Sequence, residues 1–234
     1  MQRSQNSKPL AEQRVRSWLC NGHWIDSHTA IKKTLHASEQ EREDVRLRRE
    51  QWVNELPLLD PAKLVFIDES GAKTNMTRLR GRSRNGSRLF SFAPHGHWCT
   101  TTMISSIRLN GQTAAMEVEG PSDGSVFREY VRIVLVPSLS SGDIVVMDNL
   151  RTHYDPEALQ LIEACGASVK FLPPYSPDFN PIEKMWSKIK TLLRGLAART
   201  QSELSAAITQ AFDSITSEDA QGWFSSCGVT VSQS

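Results

Sequence analysis

The chain has 234 residues, of which 39% are hydrophobic, so it can bury the core of one sizeable domain and carry a further segment. Its 27 basic and 26 acidic residues nearly balance, so net charge gives no evidence for nucleic-acid binding and any basic surface must be local. No apolar run approaches the length of a membrane span, and no signal-peptide pattern is present. The cysteines are too scattered for a zinc knuckle, which favours reduced thiols in a cytoplasmic protein; they are Cys20, Cys99, Cys165 and Cys227.

The N-terminal part of the chain differs in character from the rest. Residues 1–30 show no sustained periodicity, and residues 38–52 carry mixed-sign charge at helical spacing, which predicts a solvated helix. A basic arm that touches DNA is the alternative for that helix. A proline-punctuated linker follows at Leu56–Pro61. We therefore expect an N-terminal segment (1–56), a main domain (57–228) and a short tail (229–234).

The main domain reads as strands followed by alternating helices and strands. Short apolar, β-branched runs predict strands, and Asn110-Gly111 predicts a hairpin turn between two of them. Apolar periodicity predicts the helices, with Asp155 and Thr200 as N-caps. This order predicts a mixed α/β sheet with helices on both faces. Strands are expected at 63–67, 99–109, 113–118, 144–147 and 169–172, a further strand near the end of the turn-rich segment 78–92, and helices at 123–135, 155–165, 181–196 and 201–215.

Three segments each carry one carboxylate at the predicted end of an ordered element. Asp68 and Asp148 end two buried strands, and Glu183 lies at the start of a helix. If the two strands are neighbours, their carboxyl ends meet at one crevice, which Glu183 enters from a helix packed on the sheet. Carboxylate oxygens are the ligands that Mg²⁺ prefers. The pattern therefore points to metal-dependent phosphoryl transfer on a nucleic acid.

Each carboxylate also has a structural interpretation. Asp68 and Asp148 could simply end strands in polar turns. Glu183 could be the reciprocal partner in a capping box, because it follows Asn180 by three residues and Pro181 stands between them. The residues considered one at a time leave these alternatives open.

The sequences around the three carboxylates resemble those of the DDE transposases of the mariner superfamily, specifically its bacterial insertion-sequence branch. Thirty-four residues separate Asp148 from Glu183, which is the D-x34-E spacing of that group. The resemblance spans roughly residues 31–228. Its most specific segments are Val65-Phe-Ile-Asp68-Glu69, Ile144-Val-Val-Met-Asp148-Asn149 and Phe171-Leu-Pro-Pro-Tyr-Ser-Pro-Asp-Phe-Asn-Pro-Ile-Glu183.

This resemblance implies a ribonuclease-H-like fold in which three antiparallel strands are followed by parallel ones. It implies that Asp68, Asp148 and Glu183 are the catalytic residues and the ligands of two Mg²⁺ or Mn²⁺ ions. The implied activity is cleavage of double-stranded DNA at insertion-sequence ends and strand transfer into target DNA by a homodimer. Relatives usually carry helix-turn-helix domains before the catalytic domain, whereas about thirty atypical residues precede the matching region here. A truncated or frame-shifted product is therefore expected.

Two groups of basic residues are candidates for phosphate contacts. Five arginines fall within eleven residues, interleaved with Gly and Ser, and an extended backbone would place four of them on one side. Lysines on the polar side of the Glu183 helix form the second group. A solvated loop and a solvated helix face are the respective alternatives. The candidates are Arg78, Arg80, Arg82, Arg84, Arg88, Lys184 and Lys188.

The loop after Asp148 should border the site. It contains Asn149 and His153, and His153 could orient water or phosphate or be an ordinary surface histidine. Trp186, on the apolar face of the Glu183 helix, is expected in the core. Competing functions are a nuclease on the same fold and a catalytically inert DNA-binding or dimerisation remnant of a transposase.

Overall fold

The computed structural model describes the backbone of two residue pairs near the N-terminus and most of the chain from Ala37 to Val229. The chain divides into two units, Met1–Ala37 and Ser38–Ser234. In the first unit, β1 (Leu19–Cys20) pairs antiparallel with β2 (His23–Trp24). None of the helices in the described part of the chain combines the length and the apolar composition that crossing a membrane requires. The described ranges, besides β1 and β2, are 37–78, 80–83, 87–90 and 92–229.

A five-stranded mixed sheet organises the second unit. Its strands are β3 (Leu64–Lys73), β4 (Thr100–Arg108), β5 (Thr113–Glu119), β6 (Ile144–Met147) and β7 (Ser168–Phe171). Their spatial order is β5-β4-β3-β6-β7. The first three strands pair antiparallel, whereas β3–β6 and β6–β7 are parallel pairs. This is the predicted arrangement of antiparallel strands followed by parallel ones.

The turn between β4 and β5 follows from its sequence. Gly111 adopts a φ of +84°, which glycine reaches without steric cost. The Asn110 side chain accepts a hydrogen bond from the Gln112 N–H at 2.9 Å, which closes the turn locally. The hairpin predicted from Asn110-Gly111 is therefore confirmed, and it brings the edge strand β5 against β4.

Helices cover both faces of the sheet. One face packs against α1, α4, α5 and α6, and the other packs against α2, its π-helical continuation and α3. Asp155 caps α3 and Thr200 caps α5, both as predicted. The helices are α1 (Glu43–Glu55), α2 (Gly124–Tyr130) continued by the π-helix Val131–Leu135, α3 (Pro156–Ala164), α4 (Ile182–Leu196), α5 (Gln201–Asp213) and α6 (Ser217–Ser226).

The observed elements differ from the predicted ones at the end of β3, at α6 and in the segment 78–92. β3 continues to Lys73 because β4 pairs with it from Val65 to Lys73, so the expected end near Ile67 is wrong. α6 was not expected from the sequence. The strand expected near the end of 78–92 is not found among the described residues of that segment. α1 is largely exposed, as predicted, yet it buries Val45 and Trp52.

Candidate active site

Asp68 lies within β3 on the sheet face that α4 covers. Leu64 and Phe66 belong to the hydrophobic cluster on that face, and side chains two residues apart in a strand share a face. The Asp68 side chain therefore lies on the same face of the sheet, next to α4. There Trp186 donates its Nε1–H to Asp68 Oδ2 at 3.2 Å. Trp186 is only 2% exposed, so it is a core residue as expected, and it also orients this carboxylate.

Asp148 comes directly after β6 and lies beside Asp68 through strand register. Phe66 pairs with Val146 in the parallel ladder between β3 and β6, and both belong to the cluster on the α4 side. Extending this register by two residues places Asp148 next to Asp68 on the same face. The expectation that the two strands are neighbours is confirmed.

Glu183 lies in the first turn of α4, and it does not cap that helix. The N-cap position is Pro181, and no side chain makes a capping hydrogen bond there. By contrast, Glu203 accepts a hydrogen bond from the Thr200 N–H at 3.1 Å in a complete capping box. The capping-box interpretation of Glu183 is therefore wrong.

An open cavity of about 420 Å³ lies between the end of β6 and the loop before α4. Asp148 and Glu183 both line it. Asn149 supports its wall, because its Nδ2 donates to the Leu172 carbonyl at 2.6 Å and its Oδ1 accepts from the Tyr154 hydroxyl at 2.7 Å. The site-bordering position predicted for Asn149 agrees with this placement. The remaining lining residues are Leu150, Leu172, Pro173, Pro174, Tyr175, Ser176, Pro177 and Asn180.

Negative charge is concentrated around Asp68. Burial, followed by the nearby charge of Glu183, raises the pKa of Asp68 to about 7, with a further contribution from Asp148. Burial also raises the pKa of Glu183, although Lys190 opposes the shift. The three carboxylates thus lie close enough for their charges to repel one another.

His153 links Asp148 to the opposite face of the sheet. It is fully buried against Phe127, with ring centroids 4.7 Å apart, so the surface-histidine alternative is wrong. Its Nδ1 lies 2.8 Å from Asp148 Oδ1 and its Nε2 lies 3.0 Å from Glu69 Oε2. Burial alone would lower the pKa of His153, but Asp148 and Glu69 outweigh it and raise the pKa to about 10. The ring is therefore a cation at neutral pH and donates from both nitrogens.

The same contacts act on Asp148. Burial favours its neutral form, but hydrogen bonds from His153 and from the Leu150 N–H lower the pKa of Asp148 overall. Asp148 is consequently ionised while its neighbour Asp68 titrates near neutrality. Opposite shifts on two adjacent carboxyl groups are typical of functional sites.

The chemistry of these residues fits a hard divalent cation. Asp68, Asp148 and Glu183 offer only oxygen donors, and the charges of Glu183 and Asp148 add to the effect of burial in raising the Asp68 pKa. As the side chains lie, however, no group of three or more His, Cys, Asp or Glu in the described ranges is arranged to hold a metal ion. His153 and Trp186 instead hold two of the three carboxylates through hydrogen bonds.

The two predicted basic groups differ in their surroundings. The four described arginines of the first group are exposed, and Arg84 lies outside the described residues. Lys184 donates to Cys227 Sγ at 3.1 Å. Lys188 donates to the Ser214 carbonyl at 2.7 Å and pairs with Asp219, so both lysines contact residues in or next to α6. The exposed arginines are Arg78, Arg80, Arg82 and Arg88.

The sequence did not indicate a role for Glu69, and it did not indicate which residues His153 and Trp186 would contact. Glu69 and His153 are 84 positions apart, and no sequence spacing relates them. Strand alternation places Glu69 on the face opposite Asp68, which is the only signal that could have suggested its role. The contact between Trp186 and Asp68 spans 118 positions and depends on how α4 packs on the sheet.

The family profile described as DDE superfamily endonuclease matches residues 63–205. This range contains Asp68, Asp148 and Glu183. The chain belongs to this family. The resemblance to DDE enzymes is thereby confirmed at the level of the superfamily. A comparison with the curated proteins finds no match.

Solved structures establish the fold of this DDE domain. Mos1 transposase in its paired-end complex with the left transposon end superposes with a TM-score of 0.66 at 14% identity, covering 86% of this chain and 64% of that one. The Mos1 mariner paired-end complex with Mn superposes with a TM-score of 0.65 at 16% identity, and the match covers 85% of this chain and 64% of that one. The Mos1 catalytic domain with Raltegravir and Mg superposes with a TM-score of 0.58 at 11% identity, and the match covers 83% of this chain and 92% of that one. The chain thus spans 64% of the two longer proteins, and its predicted ribonuclease-H-like fold is confirmed.

Proposed function

We propose that this chain is the catalytic domain of a mariner-superfamily transposase of the bacterial insertion-sequence branch. It would cleave DNA at the ends of an insertion sequence and join a 3′-hydroxyl end to target DNA. The observation that carries the proposal is the register of β3 and β6, which sets Asp68 beside Asp148 on the face where α4 presents Glu183. The proposed catalytic domain, 57–228, contains the whole range matched by the family profile, 63–205.

Asp68, Asp148 and Glu183 are proposed to hold two Mg²⁺ or Mn²⁺ ions. The presence of Mn and Mg in solved structures of Mos1 transposase supports this choice of metals. When bound, a pair of such ions activates the attacking oxygen and stabilises the leaving oxygen in an in-line displacement. The oxygen-only donor set supports cation binding, and a bound cation would favour the ionised form of Asp68, whose pKa is raised by burial and by the charge of Glu183.

The protein supplies orientation and charge balance around these carboxylates. Trp186 fixes one oxygen of Asp68 by a hydrogen bond from Nε1. The His153 cation holds Asp148 in its ionised form and is itself held from the other side by Glu69. Both supports come from buried side chains, which keep few rotamers.

Double-stranded DNA is the proposed substrate, and the arginines that follow β3 in the sequence are its proposed phosphate contacts. Lys184 and Lys188 remain proposed phosphate contacts, but they are weaker candidates than the arginines because both already donate hydrogen bonds to other residues of the protein. The paired-end complex of Mos1 transposase is the basis for proposing that two copies of this chain act together. The arginines are Arg78, Arg80, Arg82, Arg84 and Arg88.

Asp148→Asn tests the site directly. The amide keeps an oxygen for the contact with His153 but removes a charged ligand, so we expect metal-dependent nicking to disappear while the folded state remains. Nicking and strand transfer are measured on a DNA duplex that carries an insertion-sequence end, with Mg²⁺ or Mn²⁺. Asp213→Asn, which alters an exposed carboxylate at the end of α5, is the matched control and should behave like the unmodified chain.

The same assay separates the competing functions. Joining of the 3′-hydroxyl end to target DNA supports a transposase, whereas hydrolysis without joining indicates a nuclease on the same fold. Nicking that persists in Asp148→Asn, or an unmodified chain that shows no metal-dependent nicking, would contradict the proposal. The second result is the one expected of an inert remnant.

A further inference from the structure

The loop that carries Glu183 into the site is irregular and contains a strained residue. It runs from Leu172 to Pro181 between β7 and α4 and includes four prolines. Tyr175 adopts a φ of +55°, a left-handed conformation that non-glycine residues rarely adopt. Such a conformation persists only where the surroundings hold it in place. The position of Glu183 therefore depends on what contacts this loop.

The contacts come from the segment that precedes the family match. Gln40 donates its Nε2–H to the carbonyl of the strained Tyr175 at 2.5 Å. Arg49 of α1 binds Asp178 through both oxygens, at 3.0 Å and 2.7 Å, and donates to Ser176 Oγ at 2.6 Å. Its guanidinium also lies 4.3 Å from the centre of the Phe179 ring. One side chain thus contacts three residues of the loop.

Burial makes this arrangement more than a surface ion pair. The Arg49 side chain is only 20% exposed and Ser176 is 5% exposed, although the Asp178 side chain is 42% exposed. A bidentate arginine–carboxylate pair with a stacked ring fixes direction as well as distance, which a lysine cannot do. α1 is itself anchored, because Val45 and Trp52 are buried at 1% and 5% exposure. Arg49 therefore projects from a firmly packed helix.

We propose that Arg49 is a positioning residue: α1 holds the Leu172–Pro181 loop through it, so that Glu183 is presented to the metal beside Asp148. This role rests on the proposed function of Glu183. It means that α1, which lies outside the residues matched by the family profile, contributes to the chemistry of the matched domain.

Arg49→Met tests this role, because methionine keeps much of the aliphatic length and removes the guanidinium. We expect the Mg²⁺ concentration for half-maximal nicking to rise about 10- to 100-fold, with a smaller effect on the rate at saturating Mg²⁺. Asp178→Asn should produce a similar rise from the other partner, and the double variant should add little to either. Arg49→Lys should restore only part of the loss. Arg46→Met, on the same helix in an exposed pair with Glu50, should change the value less than about twofold.

Hydrogen exchange of the loop and direct Mn²⁺ binding give readouts that need no activity. Faster exchange at residues 173–181 and weaker Mn²⁺ binding are expected in Arg49→Met and in Asp178→Asn. If one of these two variants fails to fold, the result from the other variant tests the role of Arg49. The role of Arg49 would be overturned if hydrogen exchange at residues 173–181 did not change. It would also be overturned if exchange became faster while the Mg²⁺ concentration for half-maximal nicking stayed the same. An unmodified chain that binds Mn²⁺ but does not nick DNA would instead overturn the proposed function.

Discussion

At the residue scale, two neighbouring aspartates illustrate how position decides ionisation. Asp68 and Asp148 lie side by side, yet burial and carboxylate charge raise the pKa of Asp68 to about 7, whereas His153 helps to lower that of Asp148. The folded protein therefore binds a proton at Asp68 more tightly than the unfolded chain does. It follows that Asp68 costs stability as pH rises from its ordinary value toward its folded value.

Asp68→Asn is expected to stabilise the metal-free protein at about pH 8, by on the order of a few kcal/mol. The amide cannot ionise, so the cost of burying a charge and the repulsion from Glu183 are both lost, while its oxygen still accepts from the Trp186 Nε1–H. The gain should shrink as pH falls below about 7 and be mostly lost by about 4, where the aspartate is protonated in the folded state and close to half protonated in the unfolded chain. Urea unfolding in EDTA at both pH values measures the difference. A variant less stable than the original at the higher pH would contradict this account.

The residue scale also distinguishes two aspartates that the sequence places close together. Asp143 and Asp148 flank the same strand, β6. Asp143 is 1% exposed and pairs with Arg108 at 2.6 Å, so its charge is already matched within the protein. Asp148 faces a cavity and shares it with Glu183. The structure thus separates a structural carboxylate from a candidate ligand.

At the element scale, the helix that the sequence reading missed supports the helix that carries Glu183. α6 packs Phe224 edge-on against Phe66 of β3, with ring centroids 5.3 Å apart. It also binds α4 through the Lys188–Asp219 pair. Its N-terminus is closed by a complete capping box formed by Thr216 and Asp219. The final helix is therefore part of the frame around the site.

Thr216→Ala is expected to lower the free energy of unfolding by about 1 kcal/mol, because it removes the acceptor for the Asp219 N–H. Chemical denaturation measures the change. Thr191→Ala, at an exposed position inside α4, is the control and should be neutral or slightly stabilising, since alanine favours helix interiors. Equal effects of the two substitutions would show that the capping box contributes nothing beyond helix propensity.

At the scale of the whole molecule, near-neutral net charge coexists with a local basic segment. With a formal net charge of +1, the chain has no general attraction for DNA. Arg78, Arg80, Arg82 and Arg88 are exposed in one segment after β3. Any electrostatic affinity for DNA should therefore depend on that segment and should be sensitive to salt.

Replacing these four arginines with glutamine should weaken DNA binding and flatten its salt dependence. Each lost phosphate contact should reduce the slope of log affinity against log salt by about 0.9. Fluorescence anisotropy with duplex DNA across a range of salt concentrations measures the slope. Arg132→Gln, which alters an arginine already paired with Glu129, is the control. An unchanged slope in the fourfold variant would exclude this segment from the DNA interface.

Local chemistry determined much of this protein without reference to its tertiary structure. The Asn110-Gly111 turn, the caps at Asp155 and Thr200, and the buried run of β6 follow from neighbouring residues, so they were predictable. The three carboxylates could be singled out as candidates because their flanking sequences are specific.

Only the tertiary structure decided which residues surround those carboxylates. Register set Asp68 beside Asp148, helix packing brought Trp186 to Asp68, and the buried His153 joined Asp148 to Glu69. These contacts join residues far apart in the chain, and their geometry arises from side-chain packing between elements. Sequence periodicity reports which face of an element is apolar, but it does not report which polar group on that face finds which partner.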